Sequence, residues 1–230
     1  MNAGTMILPR KGVWRLLLTV LVLGSVWGMS EVVLGGALKA ASFPYRAGLL
    51  TAIGMAVMAV ALAGSRKPAM LAGIGMVAAS VSLLVVPVLH VSVMCKANSC
   101  IAIVTEAASL SLASALLMKK MDRSVYARMG GAALAALAAS AGFYYIGIHV
   151  APCDYLLSFG SGGSFVIKEG LTWAAFSGLL MPMGYLAGQK LATVPFPSLA
   201  GKPALGYYVS AVGIMAIAWG SSALAILSGM

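Results

Sequence analysis

The chain has 230 residues, 61% of them hydrophobic and 9% charged, with 27 glycines, 15 methionines and a mean hydropathy of +1.00. A soluble core of this size does not need so much apolar surface, and no polar stretch is long enough to hold a second core. The composition therefore predicts one all-α, polytopic membrane bundle spanning residues 1–230. The formal charge of +10 would point to nucleic acid in a soluble protein, but here Lys and Arg fall in short connections between apolar runs, so membrane lipid is the expected partner and nucleic acid is not.

In chain order, residues 1–12 read as a short cytoplasmic segment. Arg10, Lys11 and Arg15 then precede an apolar run, as in a secretory leader, yet the run continues past Ser25 to about Leu38 with no clear cleavage box and is expected to stay as a helix. A membrane helix needs about 20 mostly apolar residues. Seven segments meet that rule: 13–38, 47–63, 69–94, 101–118, 129–149, 171–189 and 206–228. With the N-terminus inside, eleven basic residues fall on the inner side, and only Lys39, Arg46, Lys96 and Lys168 fall outside. The positive-inside rule thus predicts an N-in, C-out topology in the inner (cytoplasmic) membrane. Pro87 and Pro182 are expected to kink the third and sixth helices. The segment "FGSGGSF" reads as an outer connection or a lid, and "VPFPSLAGKP" as an inner linker. Trp14, Trp27, Tyr144, Tyr145, Trp173, Tyr207 and Tyr208 are expected mostly near membrane boundaries.

Two of the five acidic residues, Glu31 and Glu106, lie well inside apolar spans, where an ionisable group is a site candidate by default. Gly24, Gly28, Glu31 and Gly35 share one helical stripe, and Ala102, Glu106, Ser109 and Ala113 share another. Small residues mark surfaces of close helix approach, so both carboxyls should face the bundle interior. There each would serve either a solute, cation or proton site or a structural hydrogen bond. Trp27 and Glu169 complete the candidate ligand-binding set.

The soft metal ligands other than methionine gather at the outer end. His90 and His149 are candidates for axial ligation of haem b or for binding a transition metal between the third and fifth helices, with Met94 one turn from His90; the alternative is two interfacial histidines. Cys95 and Cys100 bracket the short loop "KANS". They are candidates for a disulfide, with Cys153 as another pairing option, and metal ligation or free thiols remain alternatives. "HVSVMCKANSC" leading to Glu106 and "HVAPCDY" leading to Glu169 read as a weak parallel repeat of a hairpin, or as chance similarity between apolar segments.

No Ser, His and Asp set and no zinc-protease signature is present, and the seventh segment lacks a lysine for a retinal Schiff base. The small-residue first helix "WGMSEVVLGG", together with size and composition over the first six segments, resembles the substrate-binding membrane subunits of energy-coupling factor vitamin and metal importers. The resemblance implies a six-helix bundle that binds a small solute or metal ion from the outer face. It also implies packing on a partner subunit through first-helix small residues, here Gly24 and Gly28. The seventh segment and an outer C-terminus depart from that pattern. The sequence thus leaves three readings: a solute- or metal-uptake subunit with partner subunits, a haem- or metal-binding anchor of a larger complex, and a purely structural membrane subunit.

Overall fold

A computed structural model describes residues 10–90, 93–193 and 203–229. All regular structure among them is helical, as expected where lipid offers the backbone no hydrogen-bond partners and each segment must satisfy its own. Helix α1 (Arg10–Met29) passes through a π-turn (Ser30–Leu34) into α2 (Gly35–Ala40). Next come α3 (Arg46–Ser65), α4 (Met70–Ser82), α5 (Val85–Leu89), α6 (Met94–Arg123) and α7 (Val125–Val150). Two short helices, α8 (Asp154–Leu157) and α9 (Gly162–Phe165), and a second π-turn (Val166–Gly170) lead into α10 (Leu171–Thr193), and α11 (Pro203–Leu227) ends the chain.

Six helical segments are long and apolar enough to cross a membrane: Trp14–Ala40, Arg46–Ser65, Met70–Leu89, Lys96–Arg123, Val125–Val150 and Leu205–Leu227. Helix α10 is of similar length, but its glycines, Trp173, Tyr185 and Pro182 dilute its hydropathy. These seven agree with the seven predicted segments, with two shifts. Pro87 has no N–H and crowds the carbonyl four residues back, that of Leu83, so the third segment breaks at Leu83–Leu84 into α4 and α5 instead of bending as one helix. Helix α6 runs 30 residues and takes in "CKANS" as helix and not as a loop. At about 45 Å it is longer than the bilayer core is thick.

The helices form a closed ring. Neighbours pair in the order α1, α4, α6, α7, α10, α3 and back to α1, with α3 also touching α6 across it; α11 lies outside the ring against α1 and α5. The closest pairing, α3 with α10, rests on missing side chains. A Cβ at Gly188 would stand 2.5 Å from the Val60 carbonyl oxygen, and Gly184 meets the Ala56 backbone. Gly24 and Gly28 do the same against α4, where a Cβ would lie 2.5 Å from Cβ of Val77 and of Val81 respectively. This stripe, which the family resemblance assigns to a partner subunit, is filled within the chain.

Burial divides the aromatic residues: Trp14, Tyr145 and Tyr208 are exposed on the bundle. Trp27, Tyr144 and Trp173 are core residues, and Phe165 is fully buried among Phe143, Tyr144, Tyr155, Phe159 and Trp173. That cluster pins "FGSGGSF", so the segment is a packed cap and not a free lid. The first nine residues and the linker residues 194–202 lie outside the described residues. Adding side chains where helices touch should overpack the ring at a cost of about 1–3 kcal/mol. Gly188→Val is therefore expected to lower the thermal midpoint in detergent clearly, while Gly213→Ala, with open space around it, leaves it unchanged.

Candidate functional site

The first π-turn sets the site. A π-turn inserts an extra residue into a helix and often marks a functional position. Here it carries Glu31. One turn earlier the fully buried Trp27 donates its indole N–H to Glu31 Oε1 at 3.1 Å, so the rigid aromatic fixes the carboxyl's direction. Trp27 is seated against the bare backbone of Gly54, where a Cβ would come within 2.5 Å of the indole ring. The Ser30 hydroxyl donates to the Trp27 carbonyl at 2.7 Å, giving it a partner where the helical ladder is interrupted.

Glu31 borders a cavity of 660 Å³ at the Lys39 end of the bundle. Gly35 and Gly36 of α2 line it, as do Leu50, Ser82, Val85, Ser99 and Ile226. Three cations line it, Lys39, Arg46 and Lys96, against the single Glu31 carboxylate, and Lys96 acts electrostatically on that carboxylate. The Ser82 side chain is 2% exposed and its hydroxyl has no hydrogen-bond partner in the protein. It is a buried donor and acceptor in a cavity wall.

Glu106 lies deeper. It is 3% exposed and points into the ring, as its small-residue stripe predicts. Its Oε1 accepts a hydrogen bond from the Thr51 hydroxyl at 2.9 Å, and its buried Oε2 has no partner. The charges of Glu106 and Glu31 act on one another, one carboxyl sealed in the bundle and the other at the cavity.

The other predicted residues are dispersed. Glu169 sits in the second π-turn beside Tyr155, and burial followed by the Glu169 charge pushes the Tyr155 phenol above its ordinary range. Arg46, which lines the cavity, also acts electrostatically on Tyr155. His90 is exposed in a left-handed conformation (φ 52°) at the end of α5, which packs on α11. His149 is exposed near the end of α7, its Nδ1 2.7 Å from the Tyr145 carbonyl oxygen and its ring 4.8 Å from that of Tyr145. Met94 is exposed as well. Among the described residues no three His, Cys, Asp or Glu side chains cluster in a way that would hold a metal.

Cys100 and Cys153 carry free thiols, one of the alternatives that the sequence leaves open. The side chain of Cys95 lies outside the described residues.

Asp122, which the sequence reading passed over, organises the opposite end of the ring. It pairs with Arg66 and accepts a hydrogen bond from the Tyr185 hydroxyl. The hydrogen bond and charge of Asp122 raise the Arg66 guanidinium above its ordinary value. Arg128 donates from Nε to the Met121 carbonyl at 2.6 Å and from Nη2 to the Asp122 carbonyl at 3.1 Å, and its guanidinium stacks 4.2 Å over the Tyr185 ring. This network ties the α3–α4 connection, the α6–α7 turn and α10 together. One isolated acid in the basic run "KKMDRSVYAR" was the available clue.

No protein-family model matches the chain, and neither a curated protein nor a solved structure matches it.

Thr51→Val would leave both Glu106 oxygens unpaired, a loss of about 1–3 kcal/mol. Adding Glu106→Leu should recover part of it, because removing both partners of a buried hydrogen bond is less costly than removing one. Thermal midpoints of the two single variants and the double variant check this; strictly additive losses would contradict it.

Proposed function

We propose that this protein is a multi-pass subunit of the inner membrane that binds a small organic solute bearing an anionic group. The solute enters from the outer face, for uptake with partner subunits. One observation carries the reading. Of the four cations that the N-in topology leaves outside, three, Lys39, Arg46 and Lys96, converge on one cavity. Charge against the positive-inside rule is a cost to insertion, so its concentration at one concave site calls for a local use. Lys and Arg side chains at a partly enclosed site suit a carboxylate or phosphate. Glu31, held by Trp27, supplies the opposite charge for a solute ammonium or hydroxyl group, and the unpartnered Ser82 hydroxyl offers a further hydrogen bond.

The same charges argue against a metal ion as the cargo, because three cations repel it where one carboxylate attracts it. Haem b or a transition metal at His90 and His149 gains less support, because both imidazoles are exposed on helices with different packing partners. A closed six-helix ring with a cavity at its outer end suits the importer-subunit resemblance. The filled Gly24 and Gly28 stripe moves any partner contact to another face.

Thermal-shift titration of the purified protein with a panel of small carboxylates, phosphate esters and amino acids, alongside divalent cations, tests the reading. An anionic compound is expected to stabilise the protein saturably, by about 2.7 kcal/mol at one hundred times its Kd. The Lys39→Ala/Arg46→Ala/Lys96→Ala variant should lose that response. Stabilisation by divalent cations alone would overturn the proposal.

A further inference from the structure

We propose that Glu106 and Glu31 form a proton-exchange site, in which Glu106 holds a proton inside the bundle and passes it through Glu31 to solvent in the cavity. The geometry is graded. Glu106 is sealed, with one oxygen on the Thr51 hydroxyl and the other unpartnered, whereas Glu31 borders the cavity. Among the described residues the one ion pair is Arg66 with Asp122 at the far end, so no cation is paired with Glu106. A carboxylate buried with a single neutral donor is costly, and a bound proton removes that cost.

The groups around the pair fit this role. Helix α4 brings no titratable side chain, and α3 brings Arg46, which lines the cavity as do Lys39 and Lys96. On α7, Arg128 is held by Met121, Asp122 and Tyr185, and Tyr144 packs on Phe165; on α10, Tyr185 is bonded to Asp122. None of them is hydrogen-bonded to either glutamate. A metal ion would need several oxygen ligands in a shell, and two carboxyls with one already engaged hydroxyl do not supply them. A proton needs only one oxygen at a time.

In the transfer, a water molecule entering from the cavity takes the proton as the O–H bond at Glu106 breaks, and a Glu31 carboxylate oxygen then receives a proton from that water. Glu106 is left as a carboxylate still receiving the Thr51 hydrogen bond. Glu31 then releases the proton to water in the cavity. Coupling of this proton to a solute beside Glu31 rests on the solute-binding reading above. The proton site does not, and it is tested without solute.

Infrared difference spectra of the full-length protein in lipid nanodiscs, recorded on pH change and on transfer to heavy water, give the test. A protonated-carboxyl C=O band is expected that disappears in Glu106→Gln and shifts in Thr51→Val, where its hydrogen bond is lost. In Glu31→Gln the band should persist, but its hydrogen–deuterium exchange should slow several-fold, because the exit is removed. Glu106→Asp, a milder change, should keep a shifted band, and helical circular dichroism verifies that each variant is folded. A band unaffected by Glu106→Gln, exchange unaltered by Glu31→Gln, or a band that responds to sodium and not to pH would each overturn the proposal.

Discussion

Lipid tails are as apolar as leucine, so burying leucine between membrane helices gains little, and close van der Waals contact must hold the bundle together. Glycine supplies that contact at the main joints of the ring. Gly24 and Gly28 admit Val77 and Val81, Gly184 and Gly188 admit the backbone of α3, and Gly54 admits the Trp27 indole. The last joint links architecture to chemistry. Because Trp27 is locked against α3, its N–H holds the Glu31 carboxyl in a fixed direction in the cavity wall.

The two ends of the ring differ in kind. At the Arg66 end, Asp122, Arg66, Tyr185 and Arg128 tie the α3–α4 connection, the α6–α7 turn and α10 together with charge-assisted contacts. At the Lys39 end, the helix breaks in the Ser30–Leu34 turn and at Leu83–Leu84, with the small residues of α2, leave a concave space ringed by cations. Helical irregularity is tolerated in a membrane where it is enclosed by protein or lines a cavity, and both breaks lie at this one. The Lys39 end thus holds the larger cavity, of 660 Å³ and lined by three cations, while the charge network at the Arg66 end stands beside a smaller one of 430 Å³ bordered by Arg15 and Lys67.

The helices were legible because hydropathy over about 20 residues is a strong constraint. Their ends were less so. "CKANS" looks like a loop by polarity, yet it continues α6, because a helix longer than the bilayer core carries its polar turns beyond it. The inward direction of Glu106 was legible from its small-residue stripe. The cavity was not, because Glu31, Arg46, Ser82, Lys96 and Ile226 come from five separate elements and no spacing rule links them. Lys39, Arg46 and Lys96 were visible only as exceptions to a charge rule. Their meeting is a property of the ring. The histidines drew attention as a residue type, but both are exposed, on helices with different packing partners.

In the proposed function, the cavity ringed by Lys39, Arg46 and Lys96 opens to the outer face and attracts anions. The most direct measurement is the rate at which small charged thiosulfonate reagents modify single cysteines in a background where Cys95, Cys100 and Cys153 are serine. Leu50→Cys and Ser99→Cys, both in the cavity wall, should react from the outside, and faster with an anionic reagent than with a cationic one. The preference should vanish when Lys39, Arg46 and Lys96 are alanine, and Ser114→Cys, wholly buried, should stay unmodified. Faster reaction with the cationic reagent, or modification only from the inside, would contradict the account.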